Sequence, residues 1–183
     1  MSANEIQIET ARLVLRKPRI EDFDRYAEQQ ANEDAMRFLG GVQPRHAAWR
    51  KFLQMPGAWA VQGFAMFSVI EKSSGLWVGQ LGPWQPDGWP GTEVGYAFHP
   101  DAWGKGYAIE AAVAATDWAF DNLGWDEVIH CIAPDNTPSQ KVAQRLGSTN
   151  RGPGRLPPPL DDHPVDIWGQ TRAQWGENRK RFA

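Results

Sequence analysis

Cysteine is nearly absent from this sequence. Cys131 stands alone in 183 residues, which excludes an intramolecular disulfide and with it a disulfide-held scaffold. Long hydrophobic runs are absent too: no stretch of about 18 consecutive apolar residues exists to span a bilayer. The most apolar helical segment, 107–120, carries Glu110 and Asp117. The amino-terminal MSANEIQIETARL has no basic patch followed by an apolar core, so it does not read as a signal peptide. These absences lead to the expectation of a cytoplasmic protein with no membrane partner. Positive charge is not in excess either. Lys and Arg number 19 against 22 Asp and Glu, a formal net charge of -3, which supplies no general attraction to nucleic acid. Any polyanion site must be local.

What the chain does hold is glycine, proline and tryptophan, at 18, 14 and 10 residues. Trp77, Trp84 and Trp89 crowd a stretch punctuated by Gly82, Pro83, Pro86, Gly88, Pro90 and Gly91. Such tryptophans either line a site or fold back as satellite core. The length, with 42% apolar residues, supports one sizeable core and is short for two. Residues 1–183 are therefore expected to form a single domain.

Local patterns give the order of elements. RLVLR at 12–16 alternates and stops at Pro18, as a first strand does. Helical spacing follows in IEDFDRYAEQQA, then in a short segment from Asp34 to Leu39 closed by Gly40 and Gly41, and in RHAAWRKFLQM, stopped by Pro56 and Gly57. Two strands, 58–71 and 76–82, flank the turn-forming KSSG as an antiparallel hairpin. A strand at 92–98 leads into a helix over 106–122. Next come a strand at 127–133, a turn PDNTPS, a short helix over 138–146, a long proline- and glycine-rich loop from Arg151 to Pro164, and a final strand VDIWGQT. This order predicts a mixed α/β sheet with helices packed against it.

The junction at 98–108 is unusual because GKG places two costly glycines between a strand and a helix. Glycine is selected where backbone must take positive φ or where another molecule approaches closely. A helix amino terminus with free N–H groups on such a turn suits a pyrophosphate. A plain strand-to-helix turn would use the same residues. Two familiar phosphate motifs are ruled out: Lys105 is followed by Gly106 and Tyr107 rather than Ser or Thr, and Ile109 stands where a dinucleotide fingerprint needs its third glycine.

Taken together, EVGYAFHPDAWGKGYAIEA and the later DNTPSQKVAQRLG resemble the acetyl-coenzyme A binding core of the GNAT N-acetyltransferases, closest to the RimJ and RimL branch of protein N-terminal acetyltransferases. The likeness extends to TARLVLRKPRIEDFD near the start and DIWGQTRAQW near the end. It implies a single-domain α/β fold with a mixed, mostly antiparallel sheet flanked by helices, whose central strands, here 92–98 and 127–133, splay apart. Acetyl-CoA is the implied cofactor, with no metal. By position, Phe98 would offer backbone contacts to pantetheine, and the backbone of Trp103, Gly104, Lys105, Gly106, Tyr107 and Ala108 would wrap the pyrophosphate. Asn136 and Ser139 match the family's N-x-x-S, although both are also ordinary turn and cap residues. Three departures stand out. Asp101 occupies a position where the family prefers Gln or Arg, Ala143 replaces a tyrosine that many members use as acid, and Ser148 follows Gly147 in place of an aromatic residue.

Acetyl transfer to an amine needs a neutral amine, a stabilised oxyanion and a protonated sulfur. The oxyanion is assigned to backbone N–H near the end of the 92–98 strand. Glu93 is the preferred base, with His130 as rival, and Ser139 is the candidate acid. If Glu93 lay on the other face of its strand it would instead be a solvated residue. The resemblance thus implies an acetyl-CoA-dependent N-acetyltransferase acting directly on a primary amine, either a protein or peptide amino terminus or a small molecule. Segments 40–57 and 82–92 are expected to shape the acceptor pocket. A noncatalytic CoA-binding regulatory module is the alternative, a tryptophan-rich partner-binding scaffold is a third reading, and assembly as a homodimer stays open.

Overall fold

The computed structural model describes residues 6–182. Residues 1–5 of the segment read above for a leader, and Ala183, lie outside the described residues. The strands are β1 (Gln7–Glu9), β2 (Leu13–Arg16), β3 (Phe67–Glu71), β4 (Trp77–Trp84), β5 (Glu93–Phe98), β6 (Glu127–Ile132), β7 (Thr149–Gly154) and β8 (Val165–Thr171). The helices are α1 (Phe23–Gln30), α2 (Glu33–Met36), α3 (Arg45–Phe52), α4 (Gln54–Gln62), α5 (Tyr107–Leu123), α6 (Thr137–Leu146) and α7 (Arg172–Asn178). Two compact units divide them: Met1–Leu81 with Tyr96–Ala111, and Gly82–Gly95 with Ala112–Ala183.

In the first unit, β1, β2, β3 and β4 follow one another as antiparallel neighbours. Leu13 and Leu15 are fully buried while Val14 between them and Arg16 after them are not, the alternation that half-buried strands require. The last part of β5 lies beside β4, where the His99 N–H donates to the Val78 carbonyl at 2.9 Å. One face is covered by α1 and α3 through Phe23, Tyr26, Ala27, Ala48 and Phe52, packed with Trp77 of β4. Ring centroids of Tyr26 and Phe52 sit 5.3 Å apart, a contact that adds about 1 kcal/mol beyond area burial. The strand-to-helix link is tied by charge: Arg16 forms a two-pronged pair with the buried Asp22, which also accepts from the Ser68 hydroxyl at 2.6 Å. Those contacts account for Arg16 and Asp22 in the RLVLRKPRIED run.

In the second unit, the start of β5 runs parallel to β6, β6 antiparallel to β8, and β8 antiparallel to β7. Ile132, Ala143 and Trp168 form a small core that seats α6 on β6 and β8. The carboxyl-terminal helix α7, which local pattern did not mark, begins with a capping box: Thr171 accepts from the Gln174 N–H, and the Gln174 side chain accepts from the Thr171 N–H.

Two sequence expectations are corrected. The strand expected from residue 58 is helical until Gln62, so β3 starts only at Phe67, and the helix expected from RHAAWRKFLQM is followed by a second one that runs past Pro56 and Gly57. Pro56 did not break the chain because it falls in the first turn of α4, where its missing N–H has no intrahelical partner to lose. The true stop is Gly63, at φ +84°. The loop expected from Arg151 begins later, because Thr149–Gly154 pairs with β8 as β7. Proline and glycine are tolerated there by a register shift between Asn150 and Pro153. Among the described residues, no helix is long and apolar enough to cross a membrane.

Candidate functional site

The sequence-predicted site residues fall into three groups, built by different elements. The first is the turn between β5 and α5, in the first unit. Gly104 and Gly106 take φ of +74° and +80°, a region that costs any residue with a Cβ. A Cβ built on Gly104 would meet nothing within 4 Å, so the outer side of the turn is open. No backbone acceptor takes the N–H groups of Gly104, Lys105 and Gly106 among the described residues. They precede a 17-residue helix, α5, whose own first N–H groups have no intrahelical acceptor and whose dipole favours negative charge. Backbone donors, positive φ and open space are what a pyrophosphate needs, and the turn fits that group.

Side chains around the turn are busy with one another. The Phe98 carbonyl accepts from the indole N–H of Trp103 at 3.0 Å. The Tyr107 hydroxyl donates to Glu71, and the Lys105 Nζ lies 3.7 Å from the same carboxylate. Hydrogen bonds from Ser74 and then Tyr107 hold the Glu71 carboxyl below its usual range. Ala108, the second residue of α5, is half-buried. Asp101, the departure from the family pattern, is answered by Arg25 of α1 at 3.0 Å.

The second group fills a break between β5 and β6, in the second unit. The parallel ladder makes one register pair, Glu93 with Ile129, and the Ile129 N–H donates to the Thr92 carbonyl at 2.9 Å. The next rung of a parallel ladder would run from the Cys131 N–H to the Val94 carbonyl. Side chains take both halves of it instead. The Cys131 N–H donates to Glu93 Oε1 at 3.1 Å, and the Val94 carbonyl is met by His130 Nδ1 at 2.8 Å. The strands part here because their backbone groups are satisfied without each other.

Glu93 is buried, not solvated, at 7% exposure. Burial pushes its carboxyl up to about 7, against the opposing hydrogen bonds from Cys131 and Trp89. Trp89 donates its indole N–H to Glu93 Oε2 at 2.5 Å, and its ring meets Trp84 edge-on at 6.4 Å. Burial likewise pushes the Cys131 thiol up. His130 is driven down to about 4, also by burial. A neutral imidazole that donates from Nδ1 to Val94 must accept at Nε2, and Ser148 Oγ sits there at 3.1 Å. Gln170 Nε2 donates in turn to Ser148 Oγ, also at 3.1 Å. That chain explains the serine after Gly147: an aromatic ring would leave His130 and Gln170 without their shared partner. Both ring nitrogens of His130 are thereby engaged within the gap.

The third group is the start of α6. Asn136 caps the helix, its Oδ1 accepting from the Ser139 N–H at 3.3 Å, and Ser139 occupies the first turn. Among the described residues, no cluster of three or more His, Cys, Asp or Glu side chains is placed to hold a metal ion. Local pattern missed Trp89, which only the crowding of tryptophans pointed toward, and Arg12, Glu71 and Glu110, which gather at the glycine turn from distant parts of the chain.

Comparison with known proteins agrees with this geometry. Residues 12–149 match the model of the family described as the acetyltransferase (GNAT) domain. The uncharacterized N-acetyltransferase p20 of Bacillus licheniformis is 30% identical over 146 residues, which are 78% of this chain and 82% of that protein. The N-acetyltransferase YnaD of Bacillus subtilis is 26% identical over 80% of this chain and 85% of its own length. The crystal structure of an acetyltransferase from Agrobacterium tumefaciens superposes with a TM-score of 0.79, at 27% identity, over 94% of this chain and 98% of that one. The α/β architecture, with a mostly antiparallel open sheet and flanking helices, is the fold of that family. A glycine turn feeding a long helix, a ladder opened beside a buried carboxylate and a family match across three quarters of the length converge: the chain belongs to the GNAT acetyltransferases.

Proposed function

We propose that this acetyltransferase moves the acetyl group of acetyl-CoA directly to a primary α-amine, as in the RimJ and RimL branch, with Glu93 as base and Ser139 as acid. Acetyl-CoA, when bound, supplies the activated acetyl group. The backbone of Trp103 to Ala108 holds its pyrophosphate, with Phe98, Asn136 and Ser139 as further contacts. Glu93 takes the proton from the acceptor amine. Ser139, on the first turn of a ten-residue helix whose amino terminus favours developing negative charge, donates toward the departing sulfur.

The observation that carries this reading is the opened β5–β6 ladder with the Glu93 carboxyl near 7 inside it. A base with that pKa is half-ionised at neutral pH. It lies within about one unit of an α-ammonium, at roughly 7.7–8.0, and more than about three units below a lysine ammonium at roughly 10.4. Proton removal therefore favours an amino terminus, or a small amine of similar basicity, over a lysine side chain.

The test is acetyl-CoA-dependent release of CoA with a panel of amines: a peptide with a free amino terminus, the same peptide amino-blocked with one lysine, and small amines of graded basicity. Wild type is compared with Glu93→Gln and Ser139→Ala. The reading expects turnover of the free amino terminus, a loss of about a hundredfold or more in Glu93→Gln, and a smaller loss in Ser139→Ala. Acetyl-CoA binding without turnover of any amine would contradict it, and lysine as the preferred acceptor would contradict the assignment of the amine.

A further inference from the structure

The run TARLVLR has a second arginine that neither the fold nor the reaction has so far used. Arg12 precedes β2, and its guanidinium reaches the phosphate turn: Nη1 donates to the Lys105 carbonyl at 2.8 Å. The same side chain is held by Glu110 of α5, with Nε to Oε2 at 2.7 Å, while the Arg12 backbone N–H donates to Oε1 at 2.8 Å. Thr10 adds its hydroxyl to Oε1 at 2.6 Å, and the guanidinium lies 4.6 Å from the centre of the Tyr107 ring. The loop closes through the helix, because the Glu110 N–H donates to the Gly106 carbonyl at 3.2 Å. Arg12, Lys105, Gly106 and Glu110 thus form one ring of hydrogen bonds, reaching from the start of β2 to the start of α5.

We propose that Arg12 is a positioning residue for acetyl-CoA, fixing the direction in which the turn presents the Gly106 N–H. The inference rests on the reading that this turn holds the pyrophosphate. Across a planar trans peptide, the carbonyl of Lys105 and the N–H of Gly106 point in opposite directions. A donor pinned to the carbonyl therefore aims the N–H the other way. The need for a pin follows from the glycines: the Lys105–Gly106 peptide has a glycine on one side and Gly104 one residue before it, so it reorients at less cost than one set among residues with a Cβ, and an unclamped turn would spread its donors over several directions. Burial alone would push the Glu110 carboxyl up, and the bonds from Thr10, the Arg12 N–H and the guanidinium outweigh it, keeping the group below its usual range. The clamp stays ionised and neutral as a pair, so it contributes orientation rather than net charge. Lysine cannot replace it, since one ammonium does not reproduce the planar fork that meets Glu110 and Lys105 together.

The experiment is calorimetric titration of the full chain with acetyl-CoA and, separately, with acetyl-pantetheine, which lacks the diphosphate, for wild type, Arg12→Met and Arg12→Lys. Steady-state KM values for acetyl-CoA and for the amine are read on the same proteins. Acetyl-CoA affinity is expected to fall by about tenfold or more in both variants, the scale of one lost charge-assisted hydrogen bond. The KM for acetyl-CoA should rise in step, while acetyl-pantetheine affinity and the KM for the amine stay within about twofold. Arg12 is half-exposed at 49%, and should Arg12→Met fail to fold, Arg12→Lys carries the comparison. Unchanged acetyl-CoA affinity in a folded variant overturns the clamp while leaving the turn's role intact. Equal losses for both ligands overturn it too, by making Arg12 a general structural residue. Wild type that does not bind acetyl-CoA overturns the reading on which the clamp rests.

Discussion

Replacing Glu93 by glutamine tests the physics of the opened ladder independently of any substrate. The carboxyl moves from an ordinary 4.5 to about 7 on folding, mainly through burial. The sign follows from linkage: a group that holds its proton more tightly when folded adds stability that is fully present below its unfolded pKa. That stability is lost as pH rises toward the folded pKa, and is constant above it. At about 1.4 kcal/mol per unit, Glu93 should cost the wild type about 2–3 kcal/mol between pH 5 and pH 8. In Glu93→Gln this component vanishes. The amide also turns a donor toward either the Cys131 N–H or the Trp89 indole N–H, a penalty of about 1–3 kcal/mol that does not change with pH. The difference between the two proteins is therefore informative in its slope and not in its absolute value. Urea unfolding of both at pH 5, 6, 7 and 8 gives that slope. The stability of Glu93→Gln relative to wild type should rise by about 2–3 kcal/mol across the series. A difference that stays flat within about 0.5 kcal/mol would refute the claim that a buried carboxyl with a raised pKa sits in the gap.

Other expectations follow from the same contacts. Trp89→Phe removes a hydrogen bond that favours the ionised form of Glu93, so the acid limb of the kcat/KM profile should move to higher pH; a limb that stays in place would separate Trp89 from the base. His130, driven down to about 4 by burial, should show no imidazole titration by NMR between pH 5.5 and 8, and a midpoint in that range would contradict the chain from Val94 through Ser148 to Gln170. Gly104→Val places a β-branched residue at φ +74° with no neighbour to strike. Its cost to folding should be the local strain alone, about 1–2 kcal/mol by urea unfolding, whereas acetyl-CoA affinity should fall by at least about tenfold because the turn's N–H groups must redirect.

How much of this was legible in the sequence depended on how local the cause was. The strand, glycine turn and helix from 92 to 123 read correctly because alternation, two glycines and helical spacing follow one another within about thirty residues. Asn136 could be placed at the start of α6 for the same reason. Residues 58–63 alternate enough to resemble a strand, yet Trp59 is buried and its indole N–H donates to the Met66 carbonyl at 3.1 Å, within a helix ended by Gly63. Tertiary packing outweighed pattern there. β7 was illegible because Thr149–Gly154 has the composition of a loop, and its partner β8, not its own propensity, makes it a strand. For Glu93 the residue type was readable and its face was not, since a one-residue change of register would have reversed it. The Arg12 clamp had no local signature: Arg12 and Glu110 are 98 residues apart in the chain.

The measurement that bears most directly on the whole account is calorimetric titration of the wild-type chain with acetyl-CoA, beside the folded Gly104→Val variant. Saturable one-to-one binding by the wild type and a clear loss of affinity in the variant are expected. A folded wild-type protein that takes up no acetyl-CoA, or a variant that binds as tightly as the wild type, would make the turn at 104–106 an ordinary strand-to-helix connection and contradict its assignment to the pyrophosphate.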